Sequence, residues 1–182
     1  TTRCFGSTDG AVYLNVSGAT PGYSYAWSNN TSNQNLGNVP KGNYFVVVTD
    51  ANGCTAQKAY SVPGAAQIVA TVAGNNPDCH GNATGFAVVS AGGGILPYNY
   101  QWSTTPTQSG VMGINLLGDV IYTVSVTDAN GCLATADIQL VDPAPIVVTT
   151  SPTNTKCYNS SDGVVVIVAT GGSGVYQYTL NN

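Results

Sequence analysis

Val12, Leu14 and Val16 alternate with Tyr13, Asn15 and Ser17, the period-two pattern of a half-buried strand. Tyr23, Tyr25 and Trp27 share one face of the next predicted strand, with Ser24 and Ala26 on the other. Tyr44 to Thr49 is β-branched and aromatic throughout, which predicts a central strand covered on both faces. Asp50-Ala51-Asn52-Gly53 then predicts a turn, because Asn and Gly tolerate the positive φ of a tight hairpin. Thr55 to Val62 is the return strand. Pro21-Gly22, Gly92-Gly93-Gly94 and Gly171-Gly172 mark turns leading into a Tyr-rich strand. Helical spacing is sustained nowhere, and 22 Gly with nine Pro would break it. Short strands with frequent turn signals predict an all-β fold of immunoglobulin-like β-sandwiches.

The pattern repeats. Cys4 recurs 75 residues on as Cys79 and a further 78 on as Cys157. Tyr23 to Trp27 recurs as Tyr98 to Trp102, and Thr49 to Cys54 recurs unchanged as Thr127 to Cys132. The second copy's three extra residues therefore lie between Trp102 and Tyr122, as a longer loop. Tandem self-similarity of this length predicts an array of modules. Three are expected: residues 1–63 with the first strand missing, a complete 64–143, and a partial 144–182. Gln67 to Val72 and Ile146 to Ser151 read as the first strands of modules two and three. The short, proline-bearing connections at Pro63-Gly64 and Asp142 to Pro145 predict end-to-end stacking with limited swing. The missing strands read chiefly as a window on a longer chain; the other reading is strand exchange between copies.

Cysteine spacing then predicts one disulfide per complete module: Cys4–Cys54 and Cys79–Cys132, with Cys157 unpaired by truncation. Buried free thiols are the alternative. Regular pairs in a weakly charged chain favour an oxidising, extracellular setting. Charged residues are only 7% and glutamate is absent, so solubility rests on Asn, Thr, Ser and Gln. A net charge of −4 provides no basic patch for nucleic acid. No 18-residue apolar run spans a membrane, and any export signal is expected outside these residues.

Candidate chemistry is sparse. His80 stands where the other modules have Phe5 and Tyr158, so it reads as a packing or surface position, and no catalytic residue is predicted. With a Cys4–Cys54 bond, Asp9 would lie near Asp50 and Asn52, an oxygen set that suits calcium. Against it, Asp9 aligns with Thr84, and Asp-Ala-Asn-Gly is an ordinary turn; the turn is the preferred reading, and no other cofactor is expected. Lys41, Lys58 and Lys156 raise an isopeptide bond only weakly. Trp27, Trp102, Tyr25 and Tyr100 are expected in the core because they recur at fixed positions, while the outer tyrosines stay open as sugar platforms.

The Pro97-Tyr98-Asn99-Tyr100-Gln101-Trp102 strand and the run from Gly42-Asn43-Tyr44 to Cys54 resemble the SprB-type repeat of large Bacteroidetes surface proteins. The resemblance implies a cell-surface adhesin or filament exported by a type IX secretion system, some of whose relatives move during gliding. Expected partners are neighbouring modules or further copies in a filament. A carbohydrate-binding module, with surface glycans held by loops such as 103–118, is the alternative.

Overall fold

The computed structural model describes residues 1–172 and 175–179. No helix occurs among them. In chain order the strands are β1 (Gly10–Val12), β2 (Ser24–Trp27), β3 (Leu36–Val39), β4 (Gly42–Thr49), β5 (Thr55–Val62), β6 (Val69–Asn75), β7 (Gly85–Gly92), β8 (Asn99–Trp102), β9 (Met112–Leu116), β10 (Ile121–Thr127), β11 (Leu133–Gln139), β12 (Val147–Thr153) and β13 (Val164–Thr170). They form the sheets β1-β3, β2-β4-β5, β6-β7-β9, β11-β10-β8 and β12-β13. The second repeat thus reproduces the strand groupings of the first, with β6 added beside β7.

In the first repeat the predicted hairpin is present. β4 pairs with β5 antiparallel along its whole length, from Gly42↔Val62 to Thr49↔Thr55, and with β2 from Ser24↔Thr49 to Trp27↔Val46. Trp27 and Val46 and Val62 from this sheet meet Leu36 and Val39 of β3, with Leu14, in one buried cluster. A core between two small sheets is compatible with the immunoglobulin-like sandwich. β4 is central in pairing but is not covered on both faces, since Phe45 is 44% exposed. Its side chains alternate, and only the face carrying Val46 meets the second sheet.

The predicted strand around Leu14 is shorter than its pattern. Leu14 is buried and Tyr13 exposed as the alternation requires, yet β1 ends at Val12. Beyond it, side-chain amides replace the ladder: Leu14 N–H donates to Asn35 Oδ1 at 2.9 Å, and Gln34 Nε2 donates to the Leu14 carbonyl at 2.7 Å. The longer loop of repeat two lies where expected. Trp27 Nε1 donates to Asn33 O, six residues on, whereas Trp102 Nε1 donates to Gly110 O, eight residues on.

The chain divides into two compact units: Thr1–Ala70 with Ala91–Tyr100 and Ser125–Thr135, and Thr71–Ser90 with Gln101–Val124 and Ala136–Asn182. This division cuts through the second repeat. The first unit holds the core just described; in the second, Trp102 and Leu116 and Leu140 and Val124 are fully buried.

Candidate functional site

The expected cysteine pairing is not what forms. Cys4 is bonded to Cys132, with Cα atoms 5.6 Å apart, while Cys54, Cys79 and Cys157 are free and exposed. The physical reason is strand length. The Cys4 loop sits at the start of β4, where Thr2 N–H donates to Pro63 O beside the Gly42↔Val62 pair. Cys54 follows the turn at the other end, beside Thr49↔Thr55. An eight-residue strand separates those ends by about 23 Å, far beyond the 4.4–6.8 Å Cα separation a disulfide tolerates. In repeat two Cys132 directly precedes β11, and the Cys79 loop is tied to Asp142 and Pro143 beyond that strand's other end. Each complete repeat therefore carries one cysteine at each end, and the bond joins repeat one to repeat two.

The loop holding the first cysteine is the same device three times. Arg3 N–H donates to Asp9 Oδ1 at 2.9 Å, Asp78 N–H to Thr84 Oγ1 at 2.9 Å, and Lys156 N–H to Asp162 Oδ1 at 3.2 Å. The loop needs an acceptor at that position, and a hydroxyl serves as well as a carboxylate. Ser7 and Ser160 hydroxyls donate to Asp9 and Asp162. These hydroxyl bonds, followed by the backbone donors, hold both carboxyls below the ordinary aspartate value.

The turn holding the second cysteine is also repeated. Asp50 Oδ1 accepts from Asn52 N–H at 3.0 Å and Cys54 N–H at 2.7 Å, and Oδ2 accepts from Thr20 N–H at 3.3 Å. Asp128 accepts from Asn130, Cys132 and Ile95 N–H groups, each at 2.9 Å. Gly53 and Gly131 take φ of 85° and 82°, a conformation only glycine adopts freely. The Cys54 amide chiefly lowers the Asp50 pKa, against a smaller opposing effect of burial. For Asp128 burial is the largest influence and raises it, but the Cys132, Ile95, Asn130 and Gly131 donors together outweigh it. A carboxylate whose folded pKa is depressed stabilises the fold above its unfolded pKa, about 4, and loses that contribution as pH falls through the folded value. Acid unfolding should therefore steepen below about pH 4, and Asp128→Asn should flatten that limb. An unchanged limb in chemical-denaturation curves taken from pH 2 to 7 would rule this out.

Asp9 lies at the Cys4 end of the first repeat, and Asp50 and Asn52 lie at the opposite end. The calcium candidates are thus not brought together, because the bond expected to unite them does not form. Asn52 Nδ2 donates to Thr20 Oγ1 at 2.8 Å, and no cluster of three or more acidic, His or Cys ligands exists among the described residues. The melting temperature should be the same in millimolar calcium and in chelator; a calcium-dependent rise of several degrees would restore the metal reading.

His80 packs at a loop edge. Its Nδ1 lies 2.6 Å from Asp142 Oδ2 and 3.0 Å from Pro143 O, and Gly81 N–H donates to the same carboxylate. Its counterpart Phe5 lies under the Lys41 ammonium, 5.3 Å from ring centroid to Nζ. Lys58 similarly lies 5.6 Å over the Tyr60 ring. Three half-buried tyrosines, one at the head of each Tyr-rich segment, close the Gly-rich turns. Tyr23, Tyr98 and Tyr176 hydroxyls donate to the carbonyls of Gly18, Gly93 and Gly171, five residues back in each case. Two of those glycines also meet the entering strand: a Cβ at Gly93 would fall 1.9 Å from Gln67 O, and one at Gly171 would fall 2.0 Å from Pro145 O. Trp27 and Trp102 are buried, Tyr25 is packed against the Trp27 cluster, and Tyr100 is half-buried.

These repeated loops, turns and ties define a tandem-repeat all-β protein whose first two repeats are covalently joined. The family model of the SprB repeat matches residues 2–32, 68–107 and 149–182, more than half of the chain. The chain belongs to the SprB repeat family, and such repeats make up repeat regions of cell-surface proteins. No curated protein matches it significantly.

Proposed function

We propose that this chain is a structural and adhesive segment of a secreted bacterial surface protein or extracellular filament, with no catalytic role. The observation that carries the reading is where the polar residues are spent. The acceptor at Asp9, Thr84 and Asp162, the Asp50 and Asp128 turns, and the Tyr23, Tyr98 and Tyr176 ties are each used up inside the scaffold, copy after copy. Repetition of that kind encodes architecture. A bond between successive repeats suits a segment that bears load. Family membership supports the surface setting, and the relatives implied by the resemblance point to type IX export.

Antibodies raised against the chain should label intact, non-permeabilised producing cells, and micrographs should show labelled fibres or rods. Labelling that requires permeabilisation would contradict the proposal. A glycan array probed with the chain should stay blank; reproducible binding to one sugar class would replace this reading by the carbohydrate-binding one.

A further inference from the structure

Cys4 precedes β1 and Cys132 directly precedes β11, so their bond closes a loop that holds the strands β1 to β10. Trp27 and Val46 of the first repeat and Trp102 and Val124 of the second are buried within that loop. A pull applied from outside residues 4–132 cannot draw the two cysteines apart. Tension crosses the sulfur–sulfur bond, and the residues between the cysteines carry none of it.

Beyond Cys132 the tension runs along β11. That strand borders its sheet, in the order β11-β10-β8, and is loaded at both of its ends. Strand backbone rises about 3.3 Å per residue, against a ceiling of about 3.6 Å in a fully extended chain. The seven residues of β11 therefore have little slack to release. β10 lies inside the closed loop and is not itself pulled, so the load does not shear the ladder between the two strands. The exit from β11 is also tied down. Leu140 is buried, its carbonyl accepts from Asp119 N–H at 2.7 Å, and Val141 N–H donates to Asn76 Oδ1 at 2.9 Å. Pairing within each repeat would route tension differently. With Cys4–Cys54 and Cys79–Cys132 bonds, residues 55–78 would carry the load, and these include β5 and β6. Peeling β5 from β4 would take Val62 out of the first core.

We propose that the Cys4–Cys132 bond is a load-bearing tether that routes tensile force around the folded body of repeats one and two, with β11 as the strand that passes it on. Two modules held by hydrogen bonds and apolar packing thereby become a link whose strength is that of covalent bonds. Loops inside the tether, such as 103–118, keep their shape while the chain is under tension. The source of the load is the surface role proposed above; the routing itself depends only on where the bond lies.

The test is constant-force spectroscopy on the 182-residue chain, held by peptide tags at its two ends. Cys54, Cys79 and Cys157, all exposed, are alkylated beforehand under non-reducing conditions. Without reductant, extension should stop once the residues outside the loop are drawn out, at roughly 190 Å. Adding dithiothreitol should sever the bond, and faster at higher load, because its thiolate then attacks a disulfide under tension. A further 128 residues are freed, about 460 Å at full extension. That length should arrive as separate unfolding steps after cleavage, since both repeats are still folded when the bond breaks. Release of the whole chain without reductant, no added length with it, or the added length arriving in one jump at cleavage would each overturn the proposal. A cleavage rate that does not change with load would do the same. None of these outcomes bears on whether antibodies label intact cells, so the two readings fail separately.

Discussion

Replacing Cys132 by serine should destabilise the protein by about 5 kcal/mol, the loop-closure estimate for a bond between residues 128 apart. Few covalent links in a chain of this length close so large a loop, and the chain-entropy stabilisation grows with loop size. The loss extends to a neighbouring contact: from the Cys132 turn, Asn130 Nδ2 donates to Arg3 O at 3.1 Å, beside the bond. Denaturant midpoints under non-reducing conditions measure the effect. Cys4→Ser should match Cys132→Ser, because both delete the same bond. Cys54→Ser, on an exposed free thiol, should move the midpoint very little. If Cys54→Ser were as damaging as Cys132→Ser, the assignment of the bond would be wrong.

The second large effect belongs to Trp102, which is 1% exposed and donates through Nε1 to Gly110 O at 3.0 Å. Trp102→Ala should cost about 3–5 kcal/mol, from lost transfer energy and the cavity left behind. The site has little room to collapse, since Gly113 is packed flat on the indole and even a Cβ there would lie 3.0 Å from the ring. Trp102→Phe should restore most of the packing while leaving the Gly110 carbonyl without its donor, a loss of about 1 kcal/mol or somewhat more. Equilibrium unfolding of the three forms should rank them in that order. Equal stability of the alanine and phenylalanine variants would show that burial at this position does not carry the core.

The β4–β5 hairpin was legible because strand alternation and turn chemistry agree there: Val46 faces inward, and Asp50 to Gly53 can only turn. The positions of Trp27 and Trp102 followed from their recurrence. The disulfide was misread because spacing along the chain does not say at which end of a module a residue lies. The length of the Tyr44–Thr49 strand was the available signal, since a segment that long cannot bring its two ends within bonding distance. Asp9 had been set near Asp50 and Asn52 only through that pairing, and the three are not brought together. Thr84 opposite Asp9 already indicated that the loop needs an acceptor and not a charge. The Tyr98–Gly93 tie depends on a side chain reaching back across a turn, which periodicity does not encode. Nor does it encode the amides of Gln34 and Asn35, which end β1 early by taking over its ladder.

The central claim is that successive repeats, and not the two ends of one repeat, share a disulfide. Proteolysis of the freshly purified, alkylated chain under acidic, non-reducing conditions, read by mass spectrometry, tests it most directly. The account predicts a Cys4 peptide joined to a Cys132 peptide, with Cys54, Cys79 and Cys157 all carrying the alkyl label. Peptides joining Cys4 to Cys54 and Cys79 to Cys132 would contradict it.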